Sequence, residues 1–416
     1  MASIEKVFLL KVCYSIFASI LVLFLYLKPA ILKQISSQKY ALGITFVLTR
    51  LLPFVGVYLI LNETPRGDVP FFYWKASSIY DGKIVYKDFW SYHAPLFSYL
   101  LALPLIFWHS AKAIVLLLCI GEGICLMTTI KYYKRRNNRN PIKEAIIYLL
   151  LPAPFIIMLL GGQEDIWLWG IAISAIMVYW RTKNAFLMSL VLSLGLVVLK
   201  ITFVLIFVPI FFAVNFRSKV AMILGSLALV VPVFAITYYF VGTDFLMFIK
   251  HTETPFSPNF HSILHPVFAS FFDYLSLTKI NWIGLGIIFS ALIATGFYIK
   301  DMVLHVVFPY VWIICFGLMN VILPASMIYY VFIYLIAIWF FVIEKGNLKD
   351  IFSFLFFNIL IVIQPYLFVV LGQKMYPNFA FMSEPLRAFE YLIQVILVLY
   401  ICYYIVRAFK KIQALR

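Results

Sequence analysis

Gly67–Leu100 reads GDVPFFYWKASSIYDGKIVYKDFWSYHAPLFSYL. It sets acids, bases and aromatic rings between two strongly apolar runs, Ala41–Ile60 before it and Leu96–Ile130 after it. Apolar runs of about 15–20 residues with charged punctuation are the pattern of membrane-spanning helices. Composition agrees: the 416 residues are 64% hydrophobic and only 12% charged. A soluble domain carries about 25% charged residues, and its core is limited by surface area. A membrane β-barrel would show alternating segments of about ten residues, a pattern the chain lacks. The expectation is an all-α polytopic membrane protein of about 13 transmembrane helices, forming a single integral membrane domain over 1–416. An extra N-terminal span falls in 1–40, a first outer loop with surface helices in 61–95, and a second large outer loop in 241–280. Within 96–130, charge sidedness predicts a short surface or re-entrant helix and then one crossing. The apolar stretch 185–214 is too long for one span at 1.5 Å rise and reads as a hairpin turning near Lys200.

Outward from that loop, charge assigns the sides. The net charge is +16, which in this setting reflects loops that stay cytoplasmic rather than nucleic-acid binding. Segments 28–39, 131–144, 181–183, 217–219, 300–301, 344–350 and 407–416 hold 20 Lys/Arg against 4 Asp/Glu, while the opposite loops hold 9 against 11. The acidic, aromatic loops therefore belong to the non-cytoplasmic face of a multi-pass protein of the cell membrane or the endoplasmic reticulum. The five cysteines all fall in apolar runs and show neither metal-ligand nor disulfide spacing.

Four places on that face carry chemistry. In the first loop, Asp68 lies at the mouth of a span, where partial desolvation raises a carboxyl's proton affinity and suits it to act as a general base. Its structural alternative is an N-cap ahead of Pro70. Tyr73, Asp88, Tyr92 and His93 follow as candidate substrate contacts, the aromatic residues alternatively forming an interfacial belt. The second place is Gly161–Asp165, in which Gln163, Glu164 and Asp165 suit sugar hydroxyls, or else make a solvated turn. Third is Lys200, an apolar-stretch cation expected either to face an anion or to snorkel. Lys250 and His261 mark the fourth; His261 and His265 are four apart, share a helical face, and are expected to hydrogen-bond rather than hold zinc. Arg50 and Glu122, both inside spans, are expected to pair as a structural element.

The order of these features resembles a known family. Asp68, Tyr73, Tyr80, Gly82, Tyr86, Asp88, Tyr92, Pro95, Leu96 and Tyr99 follow the first outer loop of the GT-C glycosyltransferases. Gly162-Gln163, Lys200, Ser257–Leu264 and Leu323-Pro324-Ala325-Ser326 with Tyr329-Tyr330 are similar to the DUF2029-like branch, which includes polyprenol-phosphate-mannose-dependent α-mannosyltransferases. The chain departs from it with His93-Ala94-Pro95 where Tyr-Pro-Pro is commoner, and with the extra N-terminal span. The resemblance implies a hexosyltransferase moving a sugar, mannose in the relatives, from a polyprenyl-phosphate donor to a lipid or glycan acceptor with inversion. It implies Asp68 as general base, and Lys200 and Lys250 as charges facing the departing phosphate. It implies no certain cofactor, leaves room for a divalent cation, and makes membrane lipids the surroundings. Two other classes fit the same composition: a transporter or lipid flippase, with charges on broken helices at the bilayer centre, and a non-catalytic membrane subunit of a glycan-assembly complex.

Overall fold

The computed structural model describes residues 2–372 and 375–416, with side chains other than those of 2–6 and 248–253. Helices make up the architecture, and the described residues contain no strand beyond one isolated bridge between Val85 and Phe89. Among the described residues eight helices are long and apolar enough to cross a membrane, or nine if the bent pair Ile142–Leu150 and Pro152–Leu160 is one span. The expectation of about 13 spans counted many short ones, and five further apolar helices here have only 10–17 residues. Short helices of this kind must be tucked among longer ones to keep their ends satisfied.

The first half comprises α1 (Ala2–Leu27), α2 (Pro29–Ser37), α3 (Ala41–Ile60), α4 (Val69–Tyr80), α5 (Phe97–Ile106) and α6 (Ala111–Asn137). α5 is a separate short helix and α6 alone has crossing length, as the sidedness argument expected for 96–130. The bent pair forms α7 (Ile142–Leu150) and α8 (Pro152–Leu160), broken where Leu151 turns extended ahead of Pro152 and Pro154. Then follow α9 (Ile166–Thr182), α10 (Ala185–Leu199), α11 (Ile201–Ala213) and α12 (Phe216–Val241). The stretch 185–214 is divided into two short helices, α10 and α11, with extended backbone at Lys200 between them. The last part holds α13 (Phe260–Tyr274), α14 (Leu277–Tyr298), α15 (Leu304–Ile322), α16 (Ile328–Val342), α17 (Leu348–Leu371) and α18 (Pro385–Gln413).

The packed centre lies where α9, α15 and α16 meet, around the fully buried Trp169, Trp312 and Trp339. α9 packs on α6 and α10, α1 lies against α17, and α15 against α18. At one end of the bundle Arg136 donates to Val306 O at 2.9 Å, Arg135 lies 4.3 Å from the Trp180 ring centroid, and Arg407 pairs with Asp350. α6 runs from that basic end for about 40 Å at 1.5 Å per residue, and its other end lies by the first loop, where Lys112 reaches Asn62 at 2.6 Å.

Arg50 and Glu122 pair as expected. Both are wholly buried, with Nε–Oε2 at 2.5 Å and Nη2–Oε1 at 2.9 Å. Tyr148 donates a third bond to Glu122 at 3.1 Å, and Arg50 also caps Leu149 O at 3.0 Å. Leu149 is in the last turn of α7, where carbonyls lose their helical partners, so the pair also closes the broken span.

Candidate active site

Three segments distant in sequence meet beside the N-terminus of α4. Gly67 and Gly162 have φ of +65° and +69°, a backbone region favourable to glycine. A Cβ at Gly67 would lie 2.2 Å from Gly161 O, and one at Gly162 2.2 Å from Val69 Cγ2. The two turns are thus pressed together, and Asp68 N–H donates to Gly161 O at 3.2 Å. The third segment is the break at Lys200, fastened by Ala94 N–H to Leu199 O at 2.9 Å and Leu96 N–H to Val197 O at 3.0 Å. π-helical turns at 156–160 and 195–199 lead directly into the second and third segments. Such turns are often found at functional sites.

These clamps assemble six of the expected residues. Gln163 Nε2 donates to Asp68 Oδ2 at 2.7 Å. Lys200 Nζ lies 2.6 Å from Asp165 Oδ1 and 3.0 Å from Glu164 Oε1. His93 Nε2 is 3.3 Å from that same Glu164 oxygen. Asp68 occupies the N-cap position of α4, yet its side chain makes no capping bond. The carboxylate faces the second turn instead, and is half-buried.

Electrostatics divide the acids. Burial raises the proton affinity of Asp68, against the opposing hydrogen bond from Gln163. Burial also works against ionisation of Glu164 and Asp165. At Glu164 the Lys200 ammonium and the His93 N–H overturn it and hold the carboxyl below its ordinary value. At Asp165 burial prevails over Lys200, aided by the charge on Glu164. One ammonium cannot neutralise two carboxylates out of water. Burial lowers His93 to about 4, so its ring is neutral near pH 7, with Nε2 lying 3.3 Å from Glu164 Oε1. Nδ1 then accepts from Lys75 Nζ at 3.4 Å. Burial likewise brings Lys75 down to about 8.

Lys75 is a site residue that sequence reasoning passed over. It lies seven residues after Asp68, two helical turns along one face, and that spacing was the available signal. It is fully buried, and its ammonium lies 4.7 and 5.2 Å from the Phe71 and Trp90 ring centroids. Tyr330, which the sequence offered only as part of the late outer motif, also joins the site, with its ring centroid 5.0 Å from Lys200 Nζ.

The remaining expected residues stand elsewhere. Asp88 is exposed and accepts from Ile84 N–H at 2.7 Å, which makes it a turn anchor rather than a sugar contact. Tyr73 packs edge-on to His109, and Tyr92 tilts against Trp90 at 4.8 Å. His261 is buried 5.6 Å from the His265 ring, and His265 bonds Tyr376 O and Asp273. The side chain of Lys250 lies outside the described residues. Lys200 does not stand ready for a phosphate, because two carboxylates already engage it. The same geometry does not suit a divalent cation: the ammonium takes the place between the two carboxylates. Among the described residues no group of three or more His, Cys, Asp or Glu is set to hold a metal.

A cavity of about 490 Å³ opens at Asp68 and Gln163, with otherwise largely apolar walls that include Ile157, Tyr329 and Phe368. Glu164 Oε2, Asp165 Oδ2 and Gln163 Oε1 are buried without a hydrogen-bond partner. Buried acceptors of this kind are costly unless a donor arrives.

No family model, curated protein or solved structure matches this chain.

Proposed function

We propose that this multi-pass membrane protein is a glycosyltransferase of GT-C type, moving a hexose, mannose in the relatives it resembles, from a polyprenyl-phosphate donor to a lipid or glycan acceptor at the non-cytoplasmic face. The observation that carries the reading is Asp68: a carboxylate released from capping, raised in proton affinity, at the mouth of an apolar cavity. In the step, Asp68 takes the proton of an acceptor hydroxyl. The hydroxyl oxygen bonds to C1 of the sugar, and the C1–O bond to phosphate breaks with its electron pair going to the polyprenyl phosphate. Attack opposite the leaving group inverts C1. The unpartnered oxygens of Gln163, Glu164 and Asp165 supply acceptors for sugar hydroxyls. Purified protein incubated with labelled polyprenyl-phosphate sugars and membrane lipids tests the reading. Absence of a labelled product from every donor would refute it.

A transporter is the second reading, favoured by the charged break at Lys200 between α10 and α11. Proteoliposomes that move the labelled donor without breaking it would select the transporter.

The reaction should follow a bell-shaped pH profile. A base must be unprotonated, so kcat/KM rises with pH through the Asp68 pKa, on a limb lying above the ordinary aspartate value of 3.8. It should fall above about 8, where Lys75 loses the charge it directs at His93. Lys75→Met is expected to remove the alkaline limb; an unchanged limb would take Lys75 out of the network.

Gly67→Ala is expected to reach the base indirectly. The φ of +65° costs a non-glycine residue about 1–2 kcal/mol, and the new methyl meets Gly161 O. The two turns must part, so transfer per folded molecule should fall at least about tenfold, and thermal stability should drop by more than the φ cost alone because the clash is with backbone. Wild-type kinetics in Gly67→Ala would show that the clamp does not position Asp68.

A further inference from the structure

The site leaves one requirement unmet. A donor's phosphodiester becomes a phosphomonoester as the sugar departs, and gains negative charge that needs cations nearby. Lys200 is engaged by Glu164 and Asp165, and Lys75 by His93 and two aromatic rings. Two other cations lie closer to the cavity. A second apolar cavity of about 390 Å³ shares Val7, Lys11, Arg66, Ile156 and Leu160 with the one at Asp68, so Lys11 and Arg66 stand at the seam of both. Lys11 is half-buried near the outer end of α1 and finds no carboxylate among the described residues. Arg66, two residues before Asp68, has an exposed contact of 3.7 Å with Glu63. Glu63 also lines the second cavity but pairs only with Arg66, so the charge of Lys11 beside them is left without a carboxylate of its own, and a charge within a span is a functional marker by default. Snorkelling alone would explain Lys11, but not its convergence with Arg66 on the cavity that Asp68 lines.

We propose that Lys11 and Arg66 form the seat for the phosphate of a polyprenyl-phosphate lipid, with its chain running into the apolar cavity beside Asp68. This rests on the transferase reading and names the residues that hold its donor. The arrangement gives the N-terminal helix a substrate role: α1 supplies one of the two cations and, through Val7 and Phe8, part of the apolar wall.

The test is tracer displacement on the purified full chain in nanodiscs. The tracer is a fluorescent polyprenyl monophosphate, and the competitors are unlabelled polyprenyl monophosphate, the matching polyprenol, phosphatidic acid and inorganic phosphate. Wild type should prefer the monophosphate to the alcohol at least tenfold. Lys11→Gln with Arg66→Gln should abolish that preference, while Lys11→Arg and Asp68→Asn retain it. An undiminished preference in the double variant, or none in wild type, overturns the seat. Equal displacement by phosphatidic acid overturns the polyprenyl assignment, and displacement by millimolar inorganic phosphate overturns the lipid requirement. Phosphate-selective binding with no sugar transfer would sink the transferase reading and leave the seat standing.

Discussion

Asp68→Asn is expected to lower sugar transfer by about 10²–10⁴-fold, the range a positioned general base contributes. The substitution removes little else. Asn keeps the shape of Asp, and its side-chain oxygen can still accept from Gln163 Nε2, which lies 2.7 Å from Oδ2 in the wild type. Asp68 makes no capping bond that the change would delete. Because burial works against its charge, the neutral amide is, if anything, easier to fold around. Single-turnover transfer on protein that elutes and melts like wild type checks the effect. Activity within tenfold of wild type would assign the base elsewhere.

Arg50→Met is expected to have the largest effect on stability, a loss of about 3–5 kcal/mol, because it leaves Glu122 charged, fully buried and held only by the Tyr148 hydroxyl. The bond from Arg50 to Leu149 O disappears as well, and with it the closure of the break between α7 and α8. Most of the loss is the penalty of an orphaned charge rather than the net value of the pair. Arg50→Met combined with Glu122→Leu should therefore recover much of it. Reversible unfolding in bicelles measures both. A double variant no more stable than Arg50→Met would contradict the orphan-charge account. The pair lies on α3 and α6, away from the cavity at Asp68, so residual activity should track folded protein.

Much of the arrangement was legible in the residues. Helical class and membrane residence followed from composition and run length. The break at Lys200 and the Arg50–Glu122 pair followed from one constraint: charges in an apolar setting must reach a partner or an end. The span count was less accessible, since α9, α10, α11 and α16 are apolar yet short. Hydropathy reports what a segment tolerates, and packing decides whether it crosses. Within the first loop, Asp88 read as a substrate contact beside the base Asp68, because spacing says nothing of direction. One caps a local turn and the other faces a cavity.

By itself the sequence determined an all-helical membrane chain with four polar stretches that do not belong in lipid. It did so because water-to-hydrocarbon transfer energies are properties of each side chain wherever it sits. Only the tertiary structure decided which of those stretches touch. Two glycine turns pressed together brought Gln163 to Asp68, the break between α10 and α11 spent Lys200 on two carboxylates, and α1 set Lys11 beside Arg66 at a shared cavity. Charge compensation depends on distances of a few ångströms between residues up to about 130 positions apart in the chain, and no local pattern carries that information.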